Sequence, residues 1–402
     1  MSLTEAKPHS HERKNVFVLA LSQALSMSGM SMVMTASALT GLMLADDKSL
    51  ATVPMALQFV AAMITTIPAS LFMGRYGRRI GFSVGQTLGA CGALLATYAI
   101  YTQSFWLFAT ASLLLGIHVA FWQYFRFAAA DSASPDFKAK AISYVLAGGV
   151  ISSFLGPQLA KFGEKLLEPI LFAGIYILIA GLCITTLFLI QAIRIPSTKS
   201  AGINNSGRPI LEIMRQPVFI VAAMSGMFGY GAMTFVMIAT PLAMNFCGFA
   251  FTDSATVIQW HVLAMFAPSF ITGSLIKKFG VLNIILCGVV LNVCAIAINL
   301  SGIEFLNFSI GLATIGLGWN FMFIGGTTLL TEAYRPEERS KVQAANDFMV
   351  LSTTTIAAFS SGALQQSVGW AMVNAMVTVP MTLVFAAVIW FKFIYLPKQA
   401  YK

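Results

Sequence analysis

Along most of the chain, long runs without a charged residue alternate with short clusters of acids and bases. The uncharged windows are 15–45, 49–74, 80–125, 141–160, 169–193, 216–252, 254–276, 279–303, 305–331 and 348–391. A charge at the bilayer centre costs about 2.5–3.5 kcal/mol even on a lenient insertion scale, and a helix needs roughly 20 apolar residues to cross. Each window therefore predicts a membrane-spanning helix. Windows 80–125 and 348–391 hold 46 and 44 residues, enough for two helices each. Each contains a polar reversal: Tyr101-Thr102-Gln103-Ser104 in one, Gln365-Gln366-Ser367-Val368-Gly369 in the other. In 216–252, Pro241 and the stretch 245–252 fit one helix followed by a loop. The sum is twelve helices in an all-α integral membrane fold.

Composition agrees with this count. Of the 402 residues, 57% are hydrophobic and only 10% charged, where a soluble domain carries about 25%. A soluble globule and a disordered chain are both excluded, because disorder needs charge and few aromatics. The net charge of +9 describes topology. With both termini cytoplasmic, 21 of the 24 Lys and Arg fall on inner segments, and only Lys48, Lys161 and Lys165 fall outside. That bias follows the positive-inside rule and points to a multi-pass inner-membrane protein without a nucleic-acid partner. The apolar run from Val16 is too long for the core of a signal peptide. Five cysteines, four of them within spans, predict packing residues in place of a disulfide framework.

The spans divide into a cytoplasmic N-terminus (1–15), six helices (16–194), a Pro- and Gly-bearing linker (195–216), six helices (217–394) and a cytoplasmic C-terminus (395–402). The halves echo each other. Asp131, Pro135, Asp136, Lys138 and Lys140 after the fourth span meet Glu332, Pro336, Glu337, Arg339 and Lys341 after the tenth, at an offset of 201. The basic turn Arg75-Tyr76-Gly77-Arg78-Arg79 meets Lys277-Lys278-Phe279-Gly280 near an offset of 203. Duplicated, pseudo-symmetric six-helix bundles imply a central site and alternating access.

Six plus six helices with this basic turn resemble the major facilitator superfamily over essentially the whole chain. The family's loop reads Gly-x-Leu-Ala-Asp-Arg-x-Gly-Arg-Arg. Arg75, Gly77, Arg78 and Arg79 match it, while Ser70 replaces the first Gly and Gly74 the acid. The resemblance implies a cytoplasmic gate at these residues, with Asp131, Glu332 or Asp347 as substitute acidic partners. Gly148-Gly149 and Gly156-Pro157 resemble, more loosely, a motif of the family's drug:proton antiporter branch, although close helix packing explains small residues equally well.

No acid falls at mid-membrane, which weighs against a buried carboxylate as proton carrier. On the fourth span His118, Trp122 and Arg126 follow at i, i+4 and i+8 and share one helical face. His118 lies about 20 Å below Phe105 at 1.5 Å per residue. At the 201 offset His118 meets Trp319, beside Asn320 and Phe323 on the tenth span. The resemblance implies that the first, fourth, seventh and tenth spans line the cavity, so these residues, with Gln23 and Tyr230, are candidates for solute contact or coupling. His261 on the eighth span is a candidate proton site. The competing expectation is that the histidines hydrogen-bond neighbouring helices and that Arg126 joins the inner charge lattice with Asp131.

No Walker motif, dinucleotide turn, metal-ligand spacing or catalytic triad is evident, so neither a cofactor nor a metal is expected. The sequence thus predicts a monomeric secondary transporter of a small organic solute. That solute is planar or amphipathic, vitamin-like such as a flavin, or drug-like. A proton-coupled multidrug or metabolite efflux antiporter is the alternative, and a membrane-embedded enzyme, channel or receptor is disfavoured.

Overall fold

The computed structural model describes residues 11–134, 137–195 and 207–397. Most of the N-terminal segment, Pro135, Asp136, the linker residues 196–206 and the tail from 398 lie outside the described residues. The first half runs through α1 (Glu12–Leu44), α2 (Val53–Tyr76), α3 (Arg78–Tyr101), α4 (Phe105–Trp122), α5 (Phe125–Ser132), α6 (Lys138–Glu164) and α7 (Ala173–Ile190). After the short α8 (Ile210–Met214) come α9 (Pro217–Phe246), α10 (Phe251–Phe266), α11 (Ser269–Phe279), α12 (Val281–Leu300), α13 (Phe305–Leu330), α14 (Arg339–Met376) and α15 (Thr378–Trp390). No strand occurs among the described residues.

Among the described residues, ten helical runs are long and apolar enough to cross a bilayer, and α10 with α11, bent by 43° at their junction, makes an eleventh span. The last run, Lys341–Tyr395, has 55 residues. At 1.5 Å per residue it would extend about 80 Å, against a hydrocarbon core of roughly 30 Å. It reverses at Gly369, whose φ of 77° and ψ of 176° leave helical space, and so supplies two spans. The described residues thus hold twelve spans.

Local chemistry sets the ends. Lys48 closes α1 by donating from Nζ to the carbonyls of Leu42 and Ala45 at 2.9 and 2.6 Å, which places a cation at the negative end of the helix dipole. Gly77 precedes α3 with φ 92° and ψ 156°, and Gly280 precedes α12 with φ 86° and ψ 145°. Only glycine adopts that region cheaply. The sequence repeat at offset 203 is therefore also a repeat of backbone conformation.

By backbone proximity the chain forms two compact units, Met1–Val33 with Val60–Ser200 and Met34–Phe59 with Ala201–Lys402. In the first, Phe82, Phe121, Trp122, Phe125 and Ile190 form an apolar core, and α3 brings its buried face of Gly81, Gly85, Gly89, Gly92 and Ala93 into it. Small residues let helix backbones approach closely where the bilayer gives no water-driven force between helices. In the second unit, buried polar bonds tie helices together: Ser225 Oγ donates to the Met322 carbonyl at 2.8 Å, and Asn299 Nδ2 to Asn374 Oδ1 at 2.7 Å.

Candidate functional site

His118 sits on α4, buried, with Nδ1 3.1 Å from the Gly85 carbonyl of α3. A carbonyl can only accept, so Nδ1 carries the proton and Nε2 presents its lone pair in the neutral ring. Cys183 Sγ of α7 lies 3.9 Å from Nε2 and is the donor. A Cβ at Gly89 would stand 2.7 Å from the His118 Cγ, so the imidazole fills the space that a side chain at 89 would need. His118 ties α3, α4 and α7 together. Trp122 is buried in the same unit's apolar core, and its Nε1 has no hydrogen-bond partner among the described residues.

The face expected to carry His118, Trp122 and Arg126 does not continue past Trp122. α4 ends there, Gln123 and Tyr124 form a turn, and Arg126 starts from a new helix, exposed, with its guanidinium 4.8 Å above the Phe127 ring. Gln23 on α1 is buried and its Oε1 has no partner among the described residues. Gln86, which the sequence reading passed over as an ordinary polar residue, donates from Nε2 to Ser26 Oγ at 3.2 Å and leaves its Oε1 unpaired there.

The second unit brings four aromatic rings together. Trp319 and Phe323, one turn apart on α13, stack at 5.2 Å with 9° between planes. Tyr230 of α9 stands edge-on to both, at 5.4 and 5.6 Å. Phe266, the last residue of α10, stands edge-on to Trp319 at 6.0 Å. Trp319 is buried at the base of the cluster, and the other three rings are half-buried around it. The Trp319 Nε1–H has no acceptor among the described residues. Such a surface offers π faces and edges to a flat ring, plus one unmet donor. The internal repeat pointed to Trp319 with Phe323 beside it, and the expected cavity-lining role of the seventh span to Tyr230; Phe266 was missed, because its role depends on where α10 stops.

Asn320 points elsewhere. Its Nδ2 donates to the Met265 carbonyl and to Ser269 Oγ, both at 2.7 Å, and its Oδ1 lies 2.6 Å from Thr272 Oγ1. His261 donates from Nδ1 to the Leu312 carbonyl at 2.7 Å, and its Nε2 is buried without a partner among the described residues. Its ring is seated against Gly316, where a Cβ would come within 3.1 Å of Nδ1. Both histidines thus bond a carbonyl four residues before a glycine of the neighbouring helix.

At the basic turn, Arg78 Nη2 pairs with Asp131 Oδ2 at 3.0 Å, and the Arg78 Cζ lies 5.7 Å over the Tyr124 ring. Asp131 is thus the acid that meets the turn within the first unit. Arg75 packs over Tyr76, and Arg79 lines a groove with Ser83, Thr87 and Gln191 on another side of α3. Glu332 and Asp347 are exposed, the latter beside Asn346. One acid went unnoticed in sequence because its neighbour Glu337 looked equivalent. Glu338 is buried and accepts from Arg208 N, Nε and Nη2 at 2.8, 3.0 and 2.8 Å, and from Arg335 N at 3.0 Å. The bonds from Arg208 and then from Arg335 hold its carboxyl well below the usual carboxylate range. Gly207, at φ 93°, leaves room for it, since a Cβ there would stand 2.6 Å from the Glu338 Cγ.

A family model described as Major Facilitator Superfamily matches residues 19–295. The chain is 38% identical over 381 residues to the riboflavin transporter RfnT of Brucella anthropi, covering 92% of this chain and 96% of that one. Its fold is similar to crystal structures of the nucleoside transporter NupG, with TM-score 0.74 and 14% identity over 93% of this chain and 99% of that one. It is also similar to a D-xylose-proton symporter, with TM-score 0.73 and 12% identity over 94% and 97%. At such low identity these two likenesses speak to fold alone.

Proposed function

The chain belongs to the major facilitator superfamily of secondary transporters, and we propose that the solute it carries is a flavin, riboflavin or a molecule with the same tricyclic ring. The observation that carries this reading is the 38% identity, over nearly the whole of both chains, to a protein named as a riboflavin transporter. The aromatic cluster supports it chemically. An isoalloxazine ring stacks on half-buried Tyr230 and Phe323, each aromatic pair adding about 0.5–1.5 kcal/mol beyond area burial. The Trp319 N–H, a buried donor whose unmet bond costs about 1–3 kcal/mol, gains an acceptor from a ring carbonyl or nitrogen. In the first unit, His118 and Trp122 support the helices from within, and Arg126 is reserved for the cytoplasmic charge lattice.

Transport proceeds by alternating access of the duplicated halves 16–194 and 217–394, joined through 195–216. The 21-to-3 distribution of basic residues supports an inner-membrane protein with both termini cytoplasmic, working as a monomer in the bilayer on its small-molecule solute. If a proton gradient drives the cycle, His261 Nε2 is the acceptor, because its lone pair is unused.

Uptake into proteoliposomes, followed by flavin fluorescence, tests this directly. Saturable riboflavin flux is expected, inhibited by lumiflavin, which keeps the isoalloxazine ring with a methyl in place of the ribityl chain, and unaffected by ribitol. Absence of riboflavin flux in folded, reconstituted protein, or inhibition by ribitol in place of lumiflavin, overturns the assignment. Loss of a pH-gradient effect in His261→Gln, with exchange retained, tests the proton acceptor.

A further inference from the structure

We infer that Asn320 is a positioning residue for the solute site, holding the break between α10 and α11 so that Phe266 stays edge-on to Trp319. This rests on the aromatic cluster being the surface that receives the ring.

The break has a cause in the sequence. Pro268 supplies no N–H to the turn before it, and its ring crowds that turn, so the two helices meet at 43°. A broken helix leaves backbone carbonyls at the end of its first segment that need donors, and these are costly where no water reaches. Asn320 answers from the neighbouring α13. Its one amide bonds Met265 on the near side of the break, and Ser269 and Thr272 on the far side, all at 2.6–2.7 Å. The amide orientation is fixed, because the Met265 carbonyl only accepts and must face Nδ2. Thr272 Oγ1 is also 2.8 Å from the Pro268 carbonyl, so its one hydrogen is shared between that carbonyl and Asn320 Oδ1. Asn320 is fully buried, and both amide hydrogens are committed.

Two consecutive residues of α13 thereby grip two consecutive residues of α10. Asn320 bonds the Met265 carbonyl, and Trp319 receives the edge of Phe266. Release of the amide leaves α10 free to rotate at its end, and Phe266 turns away from Trp319. The solute then meets three aligned rings in place of four. Asn320 acts on the solute through Phe266 without touching it.

The test compares riboflavin KM and kcat in proteoliposomes for Phe266→Ala, Asn320→Leu and the double variant, with leucine matching asparagine in size but making none of the bonds. One edge-to-face ring pair corresponds to a factor of roughly 2–12 in affinity. Each single variant is therefore expected to raise KM by about that factor, with a smaller change in kcat. The double variant should show no further rise. Thr272→Val, which removes one of the three bonds and keeps the side-chain shape, should show a smaller rise that also vanishes in the Phe266→Ala background, and it serves if Asn320→Leu does not fold. A KM increase from the 320 or 272 variant that persists undiminished without the Phe266 ring overturns the positioning role, as does an unchanged KM beside a raised one in Phe266→Ala. If Phe266→Ala, Trp319→Ala and Tyr230→Ala all leave KM unaltered, the ring-binding surface itself is refuted, and the positioning role falls with it.

Discussion

His118 separates two physical pictures of the fourth span, a cavity-lining imidazole and an interhelical tie, and Gly89 provides the means to decide. His118→Ala removes one hydrogen bond to the Gly85 carbonyl, worth about 1 kcal/mol net. It also empties the space between α3, α4 and α7. Large-to-small core changes cost about 2–5 kcal/mol in water-soluble proteins. The bilayer contributes little of the water-transfer part, so a total of about 2–3 kcal/mol is expected. Gly89→Ala alone drives a methyl to 2.7 Å from the His118 ring and 2.9 Å from Cys183 Sγ, an overpacking costing about 1–3 kcal/mol. In the His118→Ala background the ring contacts are gone and only the approach of Cys183 Sγ at 2.9 Å remains. Relief of the ring overlap and the better helix propensity of alanine should then make Gly89→Ala less costly by about 1–2 kcal/mol. The Gly89→Ala effect thus depends on the residue at 118. Equilibrium unfolding in mixed micelles measures all four corners of the cycle, and riboflavin titration of each folded variant should give one common Kd. Equal destabilisation by Gly89→Ala in both backgrounds, or weakened riboflavin binding by His118→Ala with stability intact, would refute the tie.

Other expectations follow from the same contacts. The Glu338 carboxyl is held low by its Arg208 and Arg335 bonds, so its stabilisation is complete above the unfolded value of about 4.3 and disappears only as pH falls through the lower folded value. Exchange protection of the Arg208 and Arg335 amides should therefore be the same at pH 7 and pH 5 and be lost at both pH values in Glu338→Leu, which has no acceptor; loss between those pH values in the wild type contradicts this. Arg78 and Asp131 are about a quarter exposed (23% and 28%), so screening limits their pair to about 1 kcal/mol or less. Arg78→Gln and Asp131→Asn should be small and non-additive in a double-mutant cycle, and strict additivity would show that they do not interact. Gly77→Ala and Gly280→Ala each place a side chain at positive φ and should cost about 1–3 kcal/mol, by similar amounts because the two turns are repeats; a cost at one position alone would break the equivalence.

The membrane spans were legible in the sequence because they are governed by a large, additive quantity, the cost of burying charge. Spans, the repeat and the reversal at Gly369 all follow from counting charges and small residues. The aromatic cluster was partly legible, since Trp319 and Phe323 lie one turn apart and the repeat pairs Trp319 with His118. Direction within a helix interface was not legible. Asn320 and Trp319 are adjacent, and only the packed neighbours decide which faces the rings and which faces the break at Pro268. The His118, Trp122 and Arg126 face assumed an unbroken helix, and the turn at Gln123 and Tyr124 has no Pro or Gly to announce it. Glu338 resembles Glu337 in every respect that a sequence displays; burial under Arg208 separates them.

The most direct measurement for a carrier of riboflavin is counterflow. Proteoliposomes loaded with unlabelled riboflavin and diluted into a trace of labelled riboflavin should accumulate label transiently above equilibrium, because outward movement of the unlabelled solute returns the binding site to face the label. A monotonic approach to equilibrium, or uptake equal to that of protein-free liposomes, would contradict alternating access to a flavin site in this protein.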